Sequence, residues 1–116
     1  MSDVKIWHNP RCKVSRAGLK YLQEKGIEPD IFNYLKEGFA PDELARIIKM
    51  TGQPLDVFIR KNEADYRTLD LKNRDLTVDE FAKIAAEHPK LLHRPIVIKG
   101  ENAVLAQPAS KIDEIL

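Results

Sequence analysis

The chain has a single cysteine, and that scarcity bounds both its fold and its chemistry. A lone thiol forms no intramolecular disulfide, so the fold must stand on its apolar core, in keeping with a reducing cytoplasm. Charge of one sign is also missing: 19 lysines and arginines face 18 aspartates and glutamates, a net charge of +1. A broad basic field of the kind that gathers nucleic acid is therefore excluded, and any anion must be met by a few placed side chains. No apolar run approaches the ~18 residues of a membrane span. The opening Met-Ser-Asp-Val-Lys lacks the positive-then-apolar order of a secretory signal, so a cytoplasmic protein without membrane contact is expected. The three histidines have no metal-ligand spacing with the cysteine, and no metal is expected. There is neither an internal repeat nor a low-complexity segment.

What is present is enough for one packed domain. The chain has 116 residues, 43% of them hydrophobic, and a monomer is expected. Residues 5–19 organise the rest: a short apolar run, an Asn9-Pro10 turn, Cys12, then a helical pattern. A strand that stops at the turn and becomes a helix near Cys12 sets the sulfur beside unpaired N–H groups at the positive end of a helix dipole. Lys5, Arg11, Lys13, Arg16 and Lys20 all precede the first following acid, Glu24. Cysteines in such places have pKa values of about 3.5 to 7.5 instead of about 8.5, and the thiolate is the nucleophile. A lone cysteine is elsewhere often a small buried apolar residue, but a turn this rich in cations is a poor place to bury an inert thiol.

Along the chain, residues 4–8 read as a strand and 15–25 as a helix closed by Gly26. Residues 31–35 fit a strand returning parallel to the first. The pattern then turns helical. Pro41-Asp42-Glu43 opens one helix with Leu44, Ile47 and Ile48 on one face and Gly52 after its end; residues 53–59 hold a short helical turn. Thr77 and Glu80 have capping-box spacing ahead of Phe81, Ile84 and Ala85, and His88-Pro89 ends that helix. Residues 95–99 and 103–105 flank Gly100-Glu101-Asn102 as an antiparallel hairpin, and 108–116 closes as a helix. The expectation is a single α/β domain of the thioredoxin and glutaredoxin class. It has a mixed sheet of about four strands, a core from 1–37 and 93–116, and an all-helical insertion over 38–92.

The chemistry of the turn is that of a nucleophile without a resolving partner, because Cys12-Lys13-Val14-Ser15 has serine where a dithiol oxidoreductase has its second cysteine. Release from a mixed disulfide then requires an external thiol. His8-Asn9-Pro10-Arg11-Cys12 with Ser15-Arg16, then Ile59-Arg60-Lys61-Asn62, then Arg94-Pro95-Ile96-Val97, resemble in order the landmark segments of the glutaredoxin-coupled arsenate reductases, the ArsC type. The resemblance covers essentially the whole chain.

That resemblance implies a mechanism in which Cys12 attacks arsenate, or another small oxyanion. Glutathione, a co-substrate and not a bound cofactor, displaces a further oxygen, and glutaredoxin supplies the electrons that release arsenite. It implies that Arg60 and Arg94 bind the oxyanion, that His8 and Ser15, with Arg16 nearby, help hold the thiolate, and that Pro95 follows a cis peptide bond. Asn9, Arg11 and Gln107 complete the expected substrate contacts. Gln107 marks a departure, since the family carries an arginine just before a proline where this chain reads Leu105-Ala106-Gln107-Pro108. A neutral hydrogen bond contributes about 1 kcal/mol against about 1.5 to 3 for a charged one. A glutathione-dependent thiol reductase with another substrate would demand less of this position. A regulator resembling the Spx branch, which contacts RNA polymerase, is a third reading, although its members carry a Cys-x-x-Cys switch that Ser15 breaks. His88 and His93 are expected at the surface near a helix end, and Trp7 in or at the margin of the core.

Overall fold

The computed structural model describes residues 3–116; Met1 and Ser2 of the opening segment lie outside the described residues. Among the described residues, four strands form one sheet in the order β2-β1-β3-β4. Strand β1 (Val4–Trp7) runs parallel to β2 (Asp30–Phe32) with Ile6 opposite Ile31, and antiparallel to β3 (Ile96–Lys99) with Ile6 opposite Val97. Strand β4 (Asn102–Leu105) closes the hairpin, Val97 opposite Val104. Helix α1 (Lys13–Glu24) makes the crossover between the parallel pair, which gives the expected thioredoxin-like mixed α/β arrangement.

Strand alternation divides the side chains between two cores. Ile6, Val97 and Val104 face α1 and the closing 3-10 helix Ala109–Ile115, packing with Leu22 and Ile112. Trp7, Ile96 and Leu105 face the other way, into a larger cluster with Leu44, Ile48, Phe58, Phe81 and Leu92. That cluster is roofed by α3 (Pro41–Thr51) and α5 (Val78–Glu87). Helix α3 starts on Pro41 with Asp42 and Glu43 in its first turn and ends at Gly52, whose φ of 67° is the left-handed conformation that favours glycine. Helix α5 has the full capping box: Glu80 N–H donates to Thr77 Oγ1 and Thr77 N–H to Glu80 Oε1.

Several expected boundaries move. The second strand ends at Phe32, because the Asn33 side chain accepts from Lys36 N–H and starts a short helix, α2 (Tyr34–Glu37). Tyr34 and Leu35 are thus helical. Helix α1 begins at Lys13, in keeping with a start near Cys12 and two residues ahead of the 15–25 periodic stretch, and the C-terminal helix is 3-10. Helix α4 (Ala64–Thr68) and the 3-10 turn Leu71–Asn73 have no counterpart in the sequence pattern, since α4 contributes no buried residue and hence no apolar stripe. The residues between β2 and β3 are helical or irregular apart from an isolated bridge between Ile59 and Leu92. The Arg94-Pro95 and Gln107-Pro108 peptide bonds are cis.

Candidate active site

The turn between β1 and α1 is built by its own side chains. Cys12 N–H donates to Asn9 O at 3.0 Å and Arg11 N–H to Asn9 Oδ1 at 3.0 Å, which folds the chain back at Pro10. Asn9 N–H donates to Ser15 Oγ at 2.9 Å, and that hydroxyl lies 2.8 Å from His8 Nδ1. Both His8 and Ser15 are buried. His8 has its pKa lowered, first by burial and then by the charge of Arg16, so near neutral pH the ring is an uncharged partner for the serine. Arg16 itself is exposed and donates to Pro10 O at 3.1 Å, bracing the turn.

Cys12 is the N-cap of α1, with extended backbone angles, and no side chain caps the helix there. Its partly exposed sulfur meets opposing influences. Burial pushes the thiol pKa up, but the Ser15 N–H, the Arg94 guanidinium acting as both donor and charge, and the Val14 N–H together bring it below the ordinary value. Ser15 therefore reaches the sulfur through its backbone, while its hydroxyl serves His8 and Asn9.

The cationic side comes from distant parts of the chain. Arg94 lies just before β3 and is buried to 9% exposure, its Nε without a hydrogen-bond partner. Arg60 follows the 3-10 turn Leu55–Phe58; its N–H donates to Leu91 O at 2.8 Å, and its guanidinium pairs with Glu63 and reaches Lys90 O at 3.4 Å. Arg60 and Arg94 line one cleft of about 930 Å³ with Asn9, Pro10, Arg11 and Asn33. Lys36 and Lys90 extend its basic rim, whereas Glu63, Asp65 and Glu87 mark an acidic side, with Asp65 lying 3.6 Å from His88. The cleft can therefore hold an anion against the Arg60 and Arg94 guanidinium groups; Cys12 does not itself line it but adjoins it through Arg94, whose guanidinium reaches the sulfur.

Two of the expected placements change. The Gln107 side chain does not line this cleft: its Nε2 donates to the backbone O of Arg94 at 2.6 Å, because the turn after β4 brings it against the segment leading into β3. His93 is no simple surface residue. It is about half-buried, and its pKa is lowered by burial and by the neighbouring charges of Arg60 and Arg94. Tyr34 was hidden in the sequence within an apolar run, yet its phenol is fully buried against the same cations; burial first, offset by Arg94 and Arg60, leaves its pKa raised to about 12. The signal that could have found it is Asn33, a helix-starting residue that turns Tyr34 away from the strand. Among the described residues no group of metal-ligating side chains converges, and no helix is long and apolar enough to cross a membrane.

The sequence matches the ArsC family over residues 7–115. It is 40% identical to the arsenate reductase of Haemophilus influenzae, over 98% of this chain and 99% of that protein. It is 35% identical to the arsenate reductase of Escherichia coli strain K12, over 100% of this chain and 82% of that one. Its fold is similar to the solved structure of an arsenate reductase from Vibrio cholerae, with a TM-score of 0.90 at 36% identity over 97% of each chain.

Proposed function

From the premise that this chain belongs to the ArsC family, we propose that it is an arsenate reductase in which Cys12 is the nucleophile and Arg60 and Arg94 are the oxyanion receptor. The observation that carries the reading is the Cys12 sulfur at the start of α1 with the Arg94 guanidinium beside it, an arginine that in turn lines a cleft together with Arg60. A thiolate approaching an arsenate anion is opposed by like charge. Guanidinium groups fixed in a partly desolvated cleft offset that repulsion and stabilise charge developing on oxygen.

In the proposed sequence the thiolate of Cys12 forms a bond to arsenic as one oxygen leaves, protonated, as water. The thiol of glutathione displaces a second oxygen in the same way. A glutaredoxin thiolate then takes the arsenic-bound glutathione as a mixed disulfide. The electron pair of the broken bond stays on arsenic, which becomes trivalent and is released from Cys12 by water as arsenite. The external thiols are required because the chain has no second cysteine to resolve the first. Asn9 and Arg11 supply further contacts from the turn, and His8, Ser15 and Arg16 keep that turn in the shape that exposes the sulfur. The protein is proposed to work as a monomer in the cytoplasm, where glutathione and glutaredoxin are at hand.

The test is arsenite production by the purified protein with glutathione and glutaredoxin. Cys12→Ser should abolish it, and a wild-type signal no larger than that of Cys12→Ser would end the proposal. The placement of Gln107 favours a second reading, glutathione-dependent reduction of another thiol or disulfide substrate, because no third guanidinium enters the cleft from the turn after β4. That reading predicts a single tripeptide adduct on Cys12 by intact mass, with turnover on a disulfide substrate and none on arsenate.

A further inference from the structure

Arg94 rides on a strap, residues 92–95, that leads from the helical block into β3. Side chains from distant parts of the sequence grip this strap by its carbonyls. Tyr34 O–H donates to Leu92 O at 3.5 Å, and Gln107 Nε2 donates to Arg94 O at 2.6 Å. The grip at Tyr34 is stiff: its ring is fully buried and stacks on Trp7 with centroids 5.9 Å apart and planes 23° apart, while Phe39 packs edge-on at 6.3 Å. A buried phenol is costly unless its hydroxyl has a partner, and among the described residues the Tyr34 hydroxyl donates to the strap at Leu92 O, with the charge of Arg94 close by. Arg94 needs outside support, because its buried Nε has no hydrogen-bond partner to fix the plane of the guanidinium.

We propose that Tyr34 and Gln107 are positioning residues for the reaction, a clamp on residues 92–95 that aims the Arg94 guanidinium at the Cys12 sulfur before substrate arrives. The clamp rests on the roles proposed for Cys12 and Arg94 but not on arsenate being the substrate. An unclamped arginine would lose rotamer freedom each time it met the sulfur or the anion; a clamped one has already lost it on folding. Gln107 then acts on the anion site through the Arg94 backbone, without touching the anion.

The test reads the sulfur directly, as the rate of iodoacetamide alkylation of Cys12 against pH with no arsenate present. Tyr34→Phe keeps the ring and removes only the hydroxyl; Gln107→Leu removes the amide at a partly exposed site. Each is expected to slow alkylation at pH 6 about fivefold, the scale of one lost hydrogen bond, with the limiting rate at high pH retained. In an Arg94→Leu background neither change should slow the reaction further, since the clamp then holds nothing. Wild-type rates at pH 6 in both variants would overturn the proposal, as would equal slowing with and without Arg94, which marks a merely structural role. Should Tyr34→Phe lose its native near-ultraviolet circular dichroism, Gln107→Leu alone decides the matter. A slowed alkylation in a protein that makes no arsenite would uphold the clamp and remove the substrate assignment.

Discussion

The two halves of the site are made in opposite ways. The sulfur side is local: His8, Asn9, Cys12 and Ser15 lie within one turn, and hydrogen bonds among near neighbours in sequence fix its shape. The guanidinium side is assembled over long range. Arg60 and Arg94 come from either side of the last long helix, and the contacts on Arg94 reach to Tyr34 and Gln107. The halves also rest on different cores. Helix α1, which follows Cys12, packs on the smaller cluster through Leu22, whereas Arg60 and Arg94 adjoin Phe58, Leu91 and Leu92, which belong to the larger one. A nucleophile can thus be set by a short motif, while its electrostatic partner depends on the tertiary fold.

The largest expected effect comes from removing one half and leaving the other. Arg94→Leu should lower kcat/KM for arsenate by roughly 10²–10³-fold, the scale for losing a placed donor to developing oxygen charge, and should raise the apparent pKa of Cys12 in alkylation profiles. An unchanged thiol pKa would show that the local turn alone ionises the sulfur. Next in size is a change at the seam between the halves. A Cβ on Gly18 of α1 would lie 2.6 Å from Pro95 Cγ, so Gly18→Ala forces the helix and the strap apart. A loss of about 1–3 kcal/mol in urea unfolding is expected from such overpacking, together with a fall in kcat. Full activity with reduced stability would uncouple the strap from the aim of Arg94. Ser15→Ala leaves His8 Nδ1 and Asn9 N–H without their partner, and about 1–3 kcal/mol of stability should be lost; in the fraction that remains folded, added arsenate should still slow iodoacetamide alkylation of Cys12, because Arg94 is untouched.

The same contrast explains how much was legible in the sequence. The Asn9-Pro10 turn, the capping box at Thr77 and the hairpin at Gly100 are short-range signals, and the structure carries each of them; the cationic run is different, since the charge that lowers the Cys12 pKa is that of the distant Arg94 and not of Lys5, Arg11, Lys13, Arg16 or Lys20. The parallel pairing of β1 and β2 followed from the helix between them. What the sequence left illegible was long-range or weakly patterned. Tyr34 read as a strand residue because Ile31-Phe32 continue into Tyr34-Leu35 as one apolar run, and only the local bond from Asn33 decides otherwise. Gln107 looked like a substrate contact because its neighbourhood in sequence matches an anion-binding position, yet nothing in the sequence gives the direction of its amide. His93 gives no sign of lying near two arginines until Arg60 is folded against it. Helix α4 lacks a buried stripe, so its periodicity carries no signal.

The smallest expected effect probes both halves at once through folding. The Cys12 pKa is lowered in the folded protein, so the thiolate contributes stability that is fully present above the pKa of the unfolded thiol and is lost as pH falls through the folded value. Urea midpoints of wild type and Cys12→Ser should therefore diverge as pH rises from 5 to about 9, wild type gaining relative to the variant. His8 and His93, whose pKa values are lowered chiefly by burial, cost stability on the acid side, but they are common to both proteins and cancel in the difference. The effect is modest because the sulfur is partly exposed and solvent screens its charge. In the Arg94→Leu background the divergence should shrink without vanishing, since the Ser15 and Val14 N–H groups remain. A divergence that disappears altogether would assign the whole ionisation to the long-range half, and one that is undiminished would assign it to the turn.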